Sequence, residues 1–294
     1  MRSSTPYRAA TRPAARHRGD RLFTLAVWAA AGSVAGVFAW LLVDLVTAGA
    51  GRLSWSFLVA APENAGRSGG IGPILVSTLA ILAVAIAAAL PLGLGTAIWL
   101  ADFARRGSRA ARRVRLALDV LAGVPSIMFG LFGNALFSVW LGLGFSILSG
   151  GLTLACMVLP ILIRSAEMGL AAVPDDWRRG AAALGLTRAA ALWHVILPAA
   201  APALSAGLML GIGRAMAETA ALIFTSGYVD RLPGSLLDSG RALAVHIYEL
   251  SMNVTGGDGS AYASALVLIT LLLVINGLAA QLAERWLGRR ITTS

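Results

Sequence analysis

Six stretches of this chain stay apolar long enough to cross a bilayer: Leu22–Val46, Gly72–Ala101, Leu116–Trp140, Phe145–Ile163, Pro198–Phe224 and Ala261–Leu282. A helix of about 20 predominantly apolar residues spans the hydrocarbon layer. Apolar side chains wrap all round these runs, unlike the one-sided stripe of a soluble helix. They lack the ten-residue alternation of a membrane barrel. The sequence therefore predicts an all-α integral membrane protein with six transmembrane helices. Composition agrees: 57% of the 294 residues are hydrophobic and 13% are charged, where a soluble domain carries roughly a quarter charged. Disorder throughout, collagen and a disulfide-rich scaffold are excluded on the same grounds. Cys156 stands alone, so no internal disulfide forms and cysteines build no metal cluster.

Residues 1–20 form a basic leader, rich in Arg, Ala and Pro, expected to be disordered on the membrane surface. Residues 21–290 form the transmembrane domain. Ala48-Gly49-Ala50 resembles a signal cleavage site, but the run before it far exceeds the roughly 7–15 residues of a signal core. The first segment is therefore read as an anchor.

Lysine is absent and the 24 basic residues are all Arg, giving a net charge of +10. Their placement sets orientation. They crowd into the leader, the stretch Arg105–Arg115, the region after segment four (Arg164, Arg178, Arg179, Arg188) and the tail (Arg285, Arg289, Arg290). The opposite side holds Arg52, Arg67, Arg231 and Arg241. Both termini are thus expected in the cytoplasm, with the arginines facing lipid headgroups and no role in binding nucleic acid. The outer connections Thr47–Ile71 and Thr225–Ser260 are Gly-rich and polar, with a turn expected at Gly256-Gly257-Asp258-Gly259.

Several chemistries are absent. His17, His194 and His246 are scattered and make no metal site. Catalytic Ser-His-Asp geometry has no support, and a chain without Lys has no phosphate-binding loop of the G-x4-G-K-[ST] type. No cofactor is expected in this chain, and it is not expected to be an enzyme. Asp44 and Asp119 lie near span ends and should be solvated or cap a helix, while Glu167 should pair locally with Arg164 at i, i+3.

Two stretches carry mechanism. Residues 173–198 lie between spans four and five. Pro174 opens a helix with Asp175 and Asp176 in its first turn, Gly185 breaks it, and a second amphipathic helix runs to Pro198. Two short helices outside the bilayer can be an ordinary linker or a knob that another protein grips. The second stretch is Gly211-Ile212-Gly213-Arg214-Ala215-Met216-Ala217-Glu218-Thr219. An ionised Arg within a span costs about 2.5–3.5 kcal/mol on insertion scales and needs a partner or water. Glu218, four residues on, shares its helix face. Gly211 and Gly213 admit a close neighbour. The pair can fix helix packing, or Arg214 can offer its planar donor fork to a tetrahedral oxyanion while Glu218 orients it or accepts a hydrogen bond from a protonated anion.

Residues 173–198 resemble the coupling loop of binding-protein-dependent ABC importer permeases, EAA-x3-G-x9-I-x-L-P. Gly185, nine residues, then Val195-Ile196-Leu197-Pro198 reproduce its second half, and Ala181 its third position. Gly180 replaces an Ala, and Arg179 stands where the family has Glu. Gly213-Arg214-Ala215, Glu218-Thr219 and Phe224-Thr225 are similar to the membrane subunits of phosphate ABC importers, as is Gly123-Val124-Pro125-Ser126-Ile127-Met128-Phe129-Gly130. Ala244–Leu250 and Ala261–Leu268 look like the PstA type rather than the PstC type. The resemblance implies a type I (MetI-like) importer permease in a bacterial inner membrane. It further implies a PstC-like second permease subunit, an ATPase dimer that holds ATP-Mg and docks on Arg179, Gly180, Ala181, Gly185, Leu197 and Pro198, and an extracytoplasmic phosphate-binding protein. The cargo path would run by Arg214, Glu218, Gly211, Gly213 and Thr219. A permease for molybdate or sulfate, or a non-conducting scaffold or sensor, is the alternative.

Overall fold

The computed structural model describes residues 15–105 and 107–291, with side chains from residue 20 to 281. Most of the basic leader and the last residues of the tail lie outside this range. The chain divides into two units, one ending at Thr47 and one beginning at Ala48. The described part of the first is the body of one helix, α1 (Ala15–Gly49), which starts before Leu22 and carries exposed apolar side chains along its length.

The second unit follows in order: α2 (Trp55–Val59), β1 (Pro62–Glu63), β2 (Ser68–Gly69), α3 (Gly72–Ile98), α4 (Arg109–Ala122), α5 (Ser126–Gly133), α6 (Ile147–Ala172), α7 (Asp175–Ala183), α8 (Arg188–Ala191), α9 (Leu197–Met216), α10 (Ala220–Ile223), α11 (Leu243–Met252) and α12 (Asp258–Ile291). One wide π turn extends α3 to Phe103, another extends α5 to Trp140, and a third joins α8 to α9 just before Pro198. Pro198 has no N–H to give the ladder, and the helix accommodates it at such a turn.

Among the described residues, five helices are long and apolar enough to cross a membrane, and a bent pair makes up to six. The third segment departs from a straight span. Arg109–Ala122 and Ser126–Trp140 meet at 105°, with the break at Gly123-Val124-Pro125, because Pro125 holds its predecessor out of the helical region. α4 is amphipathic: Ala111 and Leu118 are buried, while Arg109, Arg112 and Arg113 are exposed. The fifth segment also departs. It ends at Met216 and resumes as the short α10.

α3, α6 and α9 form the centre, flanked by α5, α10 and α12. Lipid tails are as apolar as the side chains, so close backbone approach through small residues holds such helices together. A Cβ on Gly207 would fall 2.5 Å from Ser165, and one on Gly133 2.0 Å from Thr153 Oγ1. Apolar clusters stack along the bundle at three levels. One lies at the Arg-rich end around Leu100, Leu170 and Ile196, one in the middle around Leu154, Val158 and Ile212, and one at the opposite end around Ile74 and Leu243.

The connections at that opposite end form a packed cap. β1 pairs antiparallel with β2, Pro62 opposite Gly69. The loop before α11 supplies the carbonyls of Thr225, Asp238 and Leu236 to the N–H groups of Ser146, Ile147 and Leu148, satisfying the first turn of α6. The turn at Gly256-Gly257 leads into α12, with Gly256 at φ +78°.

Candidate functional site

The sequence marks two places, and the structure builds them from different elements. The first is the break between α9 and α10. Gly211 is buried on the middle of α6, and a Cβ there would fall 2.7 Å from Val158 Cγ1. Arg214, one turn further, lies within the depth of the bundle, in the last turn of α9. A cation there is favoured by the partial negative charge of the helix end. Its side chain is exposed, and among the described residues no hydrogen bond or ion pair reaches its guanidinium.

The expected Arg214–Glu218 pair does not form. Same-face geometry needs an unbroken helix, and α9 stops at Met216. Glu218 is instead buried, and its Oε1 accepts from the N–H of Ala221 at 3.2 Å. A carboxylate is well placed on the free N–H groups of a new helix. Thr219 occupies the first position before α10 and does not cap it. Gly213 faces Leu272 of α12, at 3.8 Å from the position of a Cβ.

The third-segment motif meets this break. A Cβ on Gly130 would fall 2.8 Å from Ala221 Cα, and Asn134 Nδ2 donates to Phe224 O at 2.9 Å. Asn134 was not singled out by the sequence; its signal is an amide inside an apolar run. Backbone interrupted within a membrane domain is tolerated where protein buries it or it lines a path, and helices interrupted beside polar groups recur at transporter sites.

The second place is α7–α8. Gly185 sits at φ +74°, its N–H donating to Ala182 O at 3.0 Å while Leu186 donates to Ala181 O at 3.1 Å. This pair of bonds is the Schellman closure, whose left-handed residue glycine adopts without strain. Thr187 Oγ1 then caps α8 by accepting from Ala190 N. Ala181 and Leu197 are buried, Pro198 is half-buried and Gly180 is open on its outer side. Arg179 is exposed and pairs with Asp176 on the same helix. Trp177 and Leu184 present apolar surface outward. The sequence missed Arg178, which reaches back to Asp102 at the end of the α3 extension, 3.0 Å away.

An ion-pair chain ties α4 to α6 at the same end. Arg115 Nε donates to Glu167 Oε1 at 2.6 Å, Arg164 pairs with Glu167 Oε2 at 3.3 Å, and Arg164 also pairs with Asp119. The local Arg164–Glu167 pair is as expected. Asp119, expected to be solvated or capping, is exposed and takes part in this ion-pair chain.

At the opposite end His246 is fully buried. Its ring lies under Gly66, and its Nδ1 faces Arg241 Nη1 at 3.5 Å. Burial, then the Arg241 charge, push its imidazole down from 6.5 to about 4. Asp238 is held below the usual carboxylate range by the N–H groups of Gly234 and Ser235. Among the described residues no cluster of His, Cys, Asp and Glu could hold a metal ion.

Residues 89–288, more than half of the chain, match the family model described as binding-protein-dependent transport system inner membrane component. The chain is 30% identical over 289 residues to the "Probable ABC transporter permease protein YqgI" of Bacillus subtilis, covering 92% of this chain and 94% of that one. It is 31% identical over 254 residues to "Phosphate transport system permease protein PstA 2" of Mycobacterium tuberculosis, covering 85% and 82%. It is 34% identical over 246 residues to "Phosphate transport system permease protein PstA" of Mycobacterium leprae, covering 81% and 79%. In fold it is similar to a chain of a bacterial ABC transporter that imports the acidic polysaccharide alginate, at TM-score 0.54 and 13% identity over 90% of this chain and 99% of that one. It also resembles a chain of the MetNI methionine ABC transporter, at TM-score 0.51 and 15% identity over 74% and 96%. The family model and these relatives, together with the long apolar helices, show that the chain belongs to the inner-membrane components of binding-protein-dependent ABC importers, as a membrane subunit of a transporter.

Proposed function

We propose that this chain is one of two permease subunits of an ATP-driven importer of inorganic phosphate, and that Arg214 is a stepping stone for the anion. The observation that carries the reading is an exposed guanidinium in the last turn of α9, beside a broken span and without a partner among the described residues. Its donor fork matches two oxygens of a tetrahedral anion. The phosphate-transport names of several relatives support the same cargo. A PstC-like chain would face it across the path, and a soluble phosphate-binding protein would deliver the ion at the outer end.

ATP-Mg would bind in a partner ATPase, which has its natural contact in the exposed Trp177 and Leu184 beside Arg179. The Arg-rich end then faces the cytoplasm. ATPase closure would move α7 and α8, and the spans would rock to open the Arg214 level first outward, then inward.

The test is phosphate uptake by the complex with all partner chains in proteoliposomes. A charge-assisted hydrogen bond contributes about 1.5–3 kcal/mol, so Arg214→Ala should lower uptake at least tenfold, on the order of one such bond, while the complex still assembles. Undiminished uptake would remove Arg214 from the path. Equal competition by molybdate or sulfate would remove phosphate as the cargo.

A further inference from the structure

The knob formed by α7 has little apolar grip on the membrane domain. Ala181 is its one buried residue, and beneath it lies a cavity of about 230 Å3 bordered by Asp102, Phe103, Arg178 and Arg188, among others. Arg178 bridges the gap. Its Nη1 donates to Val173 O at 2.7 Å and its Nη2 to Leu170 O at 2.9 Å, using carbonyls that the end of α6 leaves without helical partners. Its Nε donates to Asp102 Oδ1 at 3.0 Å, 76 residues away in the sequence.

The two side chains are 27% and 17% exposed, so solvent screens the pair only in part. The second oxygen of Asp102 is buried and unpartnered in the described structure. Arg178 is therefore the principal polar partner described for that carboxylate, and losing it would strand a buried charge. A planar fork whose donors go to two elements fixes angle as well as distance, which a point charge on a flexible stem does not.

We propose that Arg178 is a rivet: it locks α7 to the ends of both α6 and α3, so that a push on the knob reaches two spans as one rigid displacement. The proposal rests on α7 being the ATPase contact, but the locking is a property of this chain alone. α7 is flanked by the Val173-Pro174 turn and by the left-handed Gly185. Without the rivet it would swing between them, and the motion would be absorbed there. Arg178 and Asp102 are positioning residues; neither touches the cargo.

The experiment uses the whole complex with Cys156 replaced and spin labels on Trp177→Cys of α7 and Trp99→Cys at the end of α3. The distance between labels, with and without ATP, is measured beside phosphate moved per ATP hydrolysed. In the parent the distance should be narrow and unchanged by nucleotide. Asp102→Asn should broaden it and lower phosphate moved per ATP at least tenfold, with assembly and ATP hydrolysis retained, and Asp102→Glu should recover part of both. An equally narrow distance in Asp102→Asn, or a shift with nucleotide in the parent, would overturn the rivet. A broadened distance with unchanged transport per ATP would overturn its role in coupling. A parent complex that hydrolyses ATP without moving phosphate would sink the cargo assignment, and the label distances would still decide the rivet.

Discussion

Arg214 and Glu218 are four residues apart, yet the end of α9 between them gives each a separate task. The guanidinium is left exposed, with no partner among the described residues, while the carboxylate turns inward to cap α10. The oddity of both groups was plain in the sequence, since charges in a span need a reason. Their relation was not, because same-face arithmetic assumes a continuous helix. His246 shows the same limit. Nothing in its neighbours marks it as buried, and Gly66, far away in the sequence, lies against the ring. Its consequence can be measured. The imidazole titrates at 6.5 in an open chain and at about 4 here, so between those values the folded cap binds fewer protons than the opened one. Stability of the cap is full above pH 6.5 and falls as pH drops toward 4, by about 1.4 kcal/mol per unit and roughly 3 kcal/mol in all. Amide exchange of residues 243–252 should accelerate over that window in the parent and stay flat in His246→Phe. Exchange independent of pH, after correction for its chemical rate, would contradict a buried neutral ring.

At the level of elements, hydropathy located the long apolar segments, and the run expected from Gly72 begins where α3 does. What hydropathy blurred were the interruptions. A hydropathy window of about 19 residues averages over the three-residue break at Ala217–Thr219 and over the turn at Pro125. The Arg178–Asp102 bridge was invisible for a different reason: only the fold brings those two positions together. The Gly185 hinge was legible, because glycine between two amphipathic turns reads as a left-handed stop. Proline cannot take the φ of +74° found there, nor donate to Ala182 O as Gly185 does. Gly185→Pro should therefore re-aim α8 against α7 and lower phosphate moved per ATP at least tenfold, a factor of about 1.4 kcal/mol per decade in coupling. The chain should still insert and copurify with its partners. Parallel assays of uptake and ATP hydrolysis check this, and normal coupling would show that the hinge does not transmit.

At the scale of the whole chain, the placement of the basic residues supports the proposed orientation, with the Arg-rich end toward the cytoplasm. The end that carries α4, α7 and α8 collects Arg105, Arg109, Arg112, Arg113, Arg179 and Arg188, all exposed or nearly so. The other end holds Arg52 and Arg241 tied into its own cap, Arg52 on Ser260 and Arg241 on Tyr228 O. Each exposed cation near an anionic inner leaflet gains about 1 kcal/mol, so turning the chain over would forfeit several kcal/mol and require those arginines to cross hydrocarbon. Orientation can be read directly once Cys156 is replaced. Leu184→Cys lies on the exposed knob and Tyr248→Cys on the cap. In intact cells a membrane-impermeant maleimide should label Tyr248→Cys and spare Leu184→Cys until the membrane is opened. The reverse pattern would place the knob outside, out of reach of any cytoplasmic ATPase, and would take the proposed motor away from this subunit while leaving its fold intact.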